Sequence, residues 1–195
     1  MYRKDRKEEF YTKKAKEQGY PARSVFKLKE IDEQFCIINR GDRILDLGSA
    51  PGSWLLYIGE KVGEKGFVLG FDTAEVSIPE RKNVVFIRKS IEDEDIIDFI
   101  GEDKFDSVVA DLSPKTTGIK SVDADMSLDL TKRAFSIAKR VLRRKGNFVC
   151  KIFDGGDADA YLKEISKEFR LFKRYRPKAV FKKSKEFYIV AKGFK

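Results

Sequence analysis

Charged residues stand at positions where the surrounding pattern calls for apolar ones. In GNFVCKIFDGG, Gly146 to Gly156, strand alternation puts Phe148, Cys150 and Ile152 on one face and Val149, Lys151 and Phe153 on the other, so the Lys151 ammonium is bracketed by apolar neighbours. Asp111 closes the apolar run of DSVVADLSP, and Glu186 opens that of EFYIVAKGF. Lys27 lies at the margin of the apolar stripe in SVFKLKEIDEQF. The chain has no histidine, which excludes Ser-His-Asp hydrolysis and histidine-ligated metal sites; proton transfer falls to carboxylates, lysines or tyrosines. Cys36 and Cys150 stand far apart without CxxC spacing, so neither a zinc site nor a disulfide framework is expected, and no metal is assigned. Taken singly, Lys151 reads equally as a solvated strand residue, and each of the others as a salt-bridge partner. Chemistry requires a fold that gathers them.

The pattern supplies such a fold. Strand signals RILDL, GFVLGF, NVVFI, DSVVADL and NFVCKIF alternate with helical ones. The helices are SVFKLKEIDEQF with Ser24 as N-cap, Ser53 to about Val62, EDEDIIDFIG, LDLTKRAFSIAKRVLRR and DADAYLKEISKEF. RLFKRYR and EFYIVAKGF close the chain, joined by too few residues for a crossover helix, so they must pair antiparallel. This predicts an α/β domain with a mostly parallel seven-stranded sheet and a C-terminal antiparallel hairpin, one domain over residues 1–195. Neighbouring parallel strands then set Asp111 beside Lys151, a strand running the other way starts at the same rim with Glu186, and Lys27 reaches in from the helix before them. The stretch SPKTTGIKSVDADMS, Ser113 to Ser127, reads as a long loop that could close over a substrate, or as an ordinary surface loop.

The first turn speaks to a cofactor. GDRILDLGSAPGSW is a strand ending at Asp46, a glycine turn and a helix start, the place where open α/β sheets bind ligands. It lacks the GK[ST] of a phosphate loop, and Ser49, Ala50 and Pro51 separate Gly48 from Gly52, which departs from GxGxxG. A ligand without a pyrophosphate does not need the missing glycine. Asp46 would attract a cationic group such as the amino group of S-adenosylmethionine, or simply cap the turn. Asp72, ending the second strand in FDTAE, is placed to bind ribose hydroxyls. Together these favour S-adenosylmethionine over NAD.

The formal net charge is +9, and it is concentrated. Residues 1–29 hold ten Lys/Arg against four Asp/Glu, and KRYRPKAVFKKSK, residues 173–185, holds seven and no acid. What remains is net negative. Tyr2, Phe10, Tyr11 and Tyr20 accompany the first segment, Tyr175 and Phe181 the second. Clustered cations with rings are the footprint of a nucleic-acid partner, whereas a lysine-rich solvated surface needs no clustering. No apolar run approaches the length of a membrane span and MYRKDRKEEF lacks the apolar core of a signal peptide, so a cytoplasmic protein is expected.

RSVFKL, LDLGSAPGSW, VVADLSP, FVCKIF and SKEFYIVA together resemble the FtsJ-type ribose 2′-O-methyltransferases, the heat-shock ribosomal RNA methyltransferase family, from about Tyr20 to Phe194. The resemblance implies a class I S-adenosylmethionine-dependent methyltransferase fold, Rossmann-like, with S-adenosylmethionine as methyl donor and structured RNA as substrate. The expected target is a uridine ribose of large-subunit ribosomal RNA on the assembled subunit. The family's Lys-Asp-Lys-Glu tetrad maps onto Lys27, Asp111, Lys151 and Glu186. A ribose 2′-hydroxyl must lose its proton to attack a sulfonium methyl, and a lysine serves as base only as a neutral amine, a form favoured by burial and a second cation. Lys151 is therefore assigned as base, Asp111 as its orienting partner and a cofactor wall, and Lys27 and Glu186 as positioning residues. Carried-over cofactor contacts are Gly52, Trp54, Asp72 and Asp111, joining Asp46 and Gly48. Where many members carry an acid after the third strand, this chain has Ser90, with Glu92 nearby. Transfer RNA or an mRNA cap as substrate, and a non-catalytic ribosome-assembly RNA-binding factor, are the competing readings; a monomer is expected, with a basic N-terminal segment to about residue 23 for RNA capture. A base-amino methyltransferase would carry an Asn/Asp-Pro-Pro-aromatic stretch after the fourth strand, and DLSPK has no aromatic there.

Overall fold

Apolar side chains on both faces of the strands require cover on both sides, and the helices divide accordingly. The computed structural model describes residues 3–155, 157–181 and 183–195; the Tyr2 ring and the Lys182 charge of the two basic segments lie outside the described residues. The chain runs α1 (Arg3–Glu17), α2 (Val25–Phe35), β1 (Arg43–Leu47), α3 (Ser53–Val62), β2 (Phe67–Asp72), β3 (Val84–Arg88), α4 (Ile96–Ile100), β4 (Phe105–Ala110), α5 (Lys120–Val141), β5 (Leu142–Phe153), α6 (Ala158–Lys167), β6 (Phe169–Tyr175) and β7 (Glu186–Phe194). The seven strands form one sheet in the order β3-β2-β1-β4-β5-β7-β6. β1 to β5 are parallel, and β7 inserts antiparallel between β5 and β6. The expected seven-stranded, mostly parallel sheet is what forms.

Alternation sorts the core into two layers. Leu45, Leu47, Val108, Phe148, Cys150 and Ile152 pack against α4, α5 and α6. Ile44, Val68, Val109, Val149 and Val190 pack against α1, α2 and α3. Asp111, Lys151 and Tyr188 continue the second face, the one that α2 covers.

Three local expectations need correction. The predicted long loop ends at residue 119, because α5 begins at Lys120. Its buried side there is Ala124, Ser127, Leu128 and Thr131, at helical spacing but, Leu128 apart, small or polar, so no core-facing apolar stripe announces it. The same helix stops at Val141 rather than Arg144, since Leu142 already pairs with Phe105 in β5. A bulge follows, with Lys145 at φ 67, before Asn147 pairs with Ser107. Ser24 does not cap α2: its backbone is helical and its side chain makes no cap hydrogen bond. Its carbonyl instead accepts the Trp54 indole N–H at 3.0 Å.

The end of α2 is held by a buried carboxylate. Asp32 accepts the backbone N–H groups of Ile37 and Ile38 at 3.0 and 2.9 Å and the Tyr57 hydroxyl at 2.8 Å, and pairs with Lys61 at 3.1 Å. It closes the turn from α2 toward β1 and thereby fixes where Lys27 lies. Asp32→Ala leaves these donors unpaired, so a loss of about 3 kcal/mol is expected in urea unfolding; an unchanged midpoint would contradict this role.

Candidate active site

Sheet register decides which charges meet. Ala110 pairs with Cys150, so the next residues, Asp111 and Lys151, lie side by side at the C-terminal ends of β4 and β5. Lys151 pairs with Tyr188, and Phe153 with Glu186, where β7 enters from the same rim. Lys27 comes from α2, which covers this face. All four predicted tetrad residues therefore line one cavity of about 1010 Å³.

Within it they form two ion pairs. Lys151 Nζ lies 3.2 Å from Asp111 Oδ1, 3.2 Å from the Asp111 carbonyl, and donates a further bond to Ser113 Oγ. Lys27 Nζ pairs with Glu186 Oε1 at 2.7 Å, so Glu186 serves Lys27 rather than Lys151. Lys151 is 5 % exposed on an interior strand, which removes the solvated-edge reading. Burial acts to raise the Asp111 pKa, but the Lys151 and Lys27 charges and the Tyr188 hydroxyl outweigh it and hold the carboxyl below its ordinary value.

Tyr188 is the functional residue that sequence reading missed. Fully buried, it donates its hydroxyl to Asp111 Oδ1 at 2.7 Å, the oxygen that also faces Lys151. Its ring lies 5.9 Å from the Lys27 ammonium and 6.1 Å from the Trp54 ring. Burial, with the Asp111 and Glu186 charges, raises its pKa well above the ordinary value, so it remains a donor. A tyrosine in an apolar strand looks like core; its place two residues after Glu186, on the same strand face, was the available signal.

The opposite wall is built from the first turn and the ends of β2 and β3. Gly48, Ala50, Pro51, Asp72, Ser90 and Glu92 line it. Gly48 has φ +84, and a Cβ there would lie 3.0 Å from Leu112 Cδ2 and 3.2 Å from its backbone nitrogen; only glycine lets the turn approach the Asp111 segment this closely. Asp72 accepts the Ala50 N–H at 2.9 Å and the Ala74 N–H at 2.9 Å, tying β2 to the turn while facing the cavity. The Ser90 hydroxyl accepts the Glu92 N–H at 3.1 Å. Arg133 of α5, unremarked in the sequence, steadies that segment by donating to the carbonyls of Ile91 and Asp93 at 2.6 and 2.7 Å.

Asp46, Gly52 and Trp54 stand behind this wall instead of lining it. Trp54 turns toward α2 and Tyr188, as its bond to Ser24 requires. Gly52, at φ +110, has no room for a side chain, because a Cβ would lie 2.5 Å from Ile78 Cγ2. Asp46 is fully buried, and neither carboxylate oxygen has a hydrogen-bond partner among the described residues. Burial, with the Asp111 and Asp72 charges adding to it, pushes its pKa up to about 8.

A doubly covered parallel sheet, with β7 inserted antiparallel and a glycine turn beside a cavity at the strand ends, defines the class I methyltransferase fold. Residues 20–194 match the FtsJ-like methyltransferase family. "Ribosomal RNA large subunit methyltransferase E" of Desulfatibacillum aliphaticivorans is 44% identical over 182 residues, covering 92% of this chain and 87% of that protein. The protein of the same name from Lawsonia intracellularis is 41% identical, covering 96% and 95%. A solved structure described as a ribosomal RNA methyltransferase from Plasmodium falciparum covers 90% of this chain and 98% of that chain with a TM-score of 0.78; at 24% identity it speaks to the fold. The chain belongs to the FtsJ-like methyltransferase family.

Two outcomes follow from the site's electrostatics. Tyr188→Phe removes the hydroxyl that holds Asp111 Oδ1 and helps keep that carboxyl ionised, so transfer should slow about tenfold with cofactor affinity unchanged; an unchanged rate would make Tyr188 a packing residue only. For Asp46, folding raises the pKa from 3.8 to about 8, so between those values the native state keeps a proton that the unfolded state has released, and stability falls as pH rises. Asp46→Asn should therefore raise Tm in ligand-free melts, on the order of 5 °C at about pH 8 and less at about pH 5. Equal gains at both would contradict the shift.

Proposed function

We propose that this protein transfers a methyl group from S-adenosylmethionine to a ribose 2′-hydroxyl of large-subunit ribosomal RNA, with a uridine on the assembled subunit as the target. The observation that carries the reading is the buried Lys151–Asp111 pair at the wall of a cavity whose other wall suits a cationic nucleoside. The names of relatives at 41% and 44% identity support the substrate class, and the family resemblance supports the nucleotide and the assembled subunit. A cytoplasmic monomer is proposed with it.

The residues present fit S-adenosylmethionine. Asp46 supplies a buried carboxyl without a hydrogen-bond partner among the described residues, close behind the turn, which suits a nearby cation. Gly48 keeps the turn open, Asp72 offers carboxylate oxygens to ribose hydroxyls, and Ser90 with Glu92 borders the base. Gly52 and Trp54 hold the turn from behind. When bound, the cofactor supplies an electrophilic methyl.

Lys151, once its amine is neutral, takes the proton of the 2′-hydroxyl at Nζ. Asp111 aims that amine, and Tyr188 keeps the Asp111 oxygen in place. Lys27 and Glu186, already paired, hold the ribose at the cavity mouth without adding net charge.

RNA capture falls to the two basic segments, which meet beside the tetrad. The Arg23 guanidinium lies 3.8 Å from the Phe181 ring centroid, and the Lys178 backbone N–H donates to Glu30. The Arg23 contact joins the two segments one helical turn before Lys27, which supports a shared RNA-facing side next to the Lys27–Glu186 pair.

The test is transfer of labelled methyl onto large subunits lacking the modification, naked ribosomal RNA and transfer RNA. Label on a subunit ribose, abolished in Lys151→Ala while cofactor affinity stays within about threefold, is the expected result. Label on transfer RNA would overturn the substrate, and cofactor binding without transfer would make the protein a binding factor. RNA affinity should also fall at least about tenfold between about 50 and 200 mM salt; a flat dependence would remove the basic segments from the interface.

A further inference from the structure

The start of α5 carries an apolar stripe that the function so far does not use. Ile119, Val122 and Met126 are 60%, 39% and 37% exposed. Their spacing puts them on one side of the first turns, while Ala124, Ser127 and Leu128 face the core. The stripe runs into the cavity, whose wall includes Met126 and, one turn on, Leu130. It is not a loose flap: Asp123 accepts the N–H and hydroxyl of Thr117 at 2.6 and 2.9 Å, and Thr117 Oγ1 accepts the Ile119 N–H at 3.1 Å.

We infer that this stripe is the stacking platform for unpaired nucleobases of the RNA substrate, an inference that rests on the proposed ribose methylation. A ribose whose 2′-hydroxyl reaches Lys151 carries its base on the adjoining carbon, so the base must lie against a wall of the same cavity. The turn with Asp72 and Ser90 suits the cofactor, and the side with Lys27, Glu186 and the basic segments suits phosphates. Of the remaining apolar lining, Phe71 and Ile91 adjoin Asp72 and Ser90 and Leu112 and Pro114 adjoin Asp111 and Ser113, whereas Met126 and Leu130 form a wall that continues outward to Val122 and Ile119. Aliphatic side chains and a polarizable thioether match the faces of bases without reading their edges. Lys115 also lines the cavity, and the Asp129 carboxylate between Met126 and Leu130 is matched by Lys132 at 2.9 Å, so that wall carries no unpaired acid against a phosphate.

The probe is a short single-stranded RNA and its abasic counterpart of equal length, with binding measured at several salt concentrations to wild type and to an Ile119→Ser/Val122→Ser variant. Both changed side chains are exposed, so the fold is retained, and equal Tm checks this. Wild type should bind the base-bearing strand about tenfold or more tightly than the abasic one. The variant should lose most of that preference with an unchanged salt slope, since no phosphate contact is removed. An Ile119→Leu/Val122→Ile variant should keep it. A preference that survives the serine variant, or none in wild type, overturns the inference, as does a concentration-dependent wild-type dimer that the variant abolishes, which would make the stripe a self-association face. Base preference in wild type with no methyl transfer to any RNA would instead count against the proposed function and leave the platform standing.

Discussion

A lysine held almost out of water at the end of an interior strand is the constraint on which the rest of the site depends. Lys151 Nζ meets the Asp111 carboxylate, the Asp111 carbonyl and Ser113 Oγ, so each ammonium hydrogen has an acceptor within the protein. Removing one member of such a buried pair strands the other, at a cost of several kcal/mol. The surroundings are shaped to keep both. Tyr188 takes the remaining approach to Asp111 Oδ1, Gly48 lets the first turn close against the Asp111 segment, and Lys27 is matched by Glu186 so that it adds no unpaired charge.

The cavity is consequently divided by charge. On one side stand two neutralised pairs, where a hydroxyl can be positioned and deprotonated. On the other are Asp72, at the wall, and Asp46, buried behind it with no hydrogen bond to its carboxylate oxygens among the described residues. A carboxyl pushed to about 8 is an unsettled feature in the protein alone and becomes a favourable one when a cation lies nearby. Asp111 belongs to both sides, as the partner of Lys151 and as a boundary of the region proposed for the cofactor. In the proposed reaction that double membership links nucleophile and methyl donor through one side chain, whose direction is set by β4 and by Tyr188.

Most of this arrangement was legible in the sequence because strands and charge obey simple periodicities. Lys151, Asp111 and Glu186 each interrupt an apolar run, and parallel register brought the first two together as the alternation required. The closing hairpin followed from a connection too short for a helix. What stayed hidden had a common cause: side chains whose type disguises their role. Tyr188 passes for core in EFYIVA, the core-facing side of the start of α5 is mostly small or polar at Ala124, Ser127 and Thr131, and the Trp54 indole turns to the Ser24 carbonyl. Ser24 resembles a cap by type, yet its helical backbone points the hydroxyl away from that task. Which of two carboxylates a lysine chooses, as Lys27 chooses Glu186, depends on three-dimensional placement that spacing alone does not encode.

The most direct test of the central claim is the pH dependence of single-turnover methyl transfer, with cofactor and RNA saturating, for wild type and for a protein in which residue 151 is γ-thialysine, an amine less basic than lysine. If the Lys151 amine is the base, the rate rises as one proton is lost and the midpoint moves to lower pH in the thialysine protein. A midpoint that stays in place would show that the titrating base is another group and that the Lys151–Asp111 pair only shapes the site.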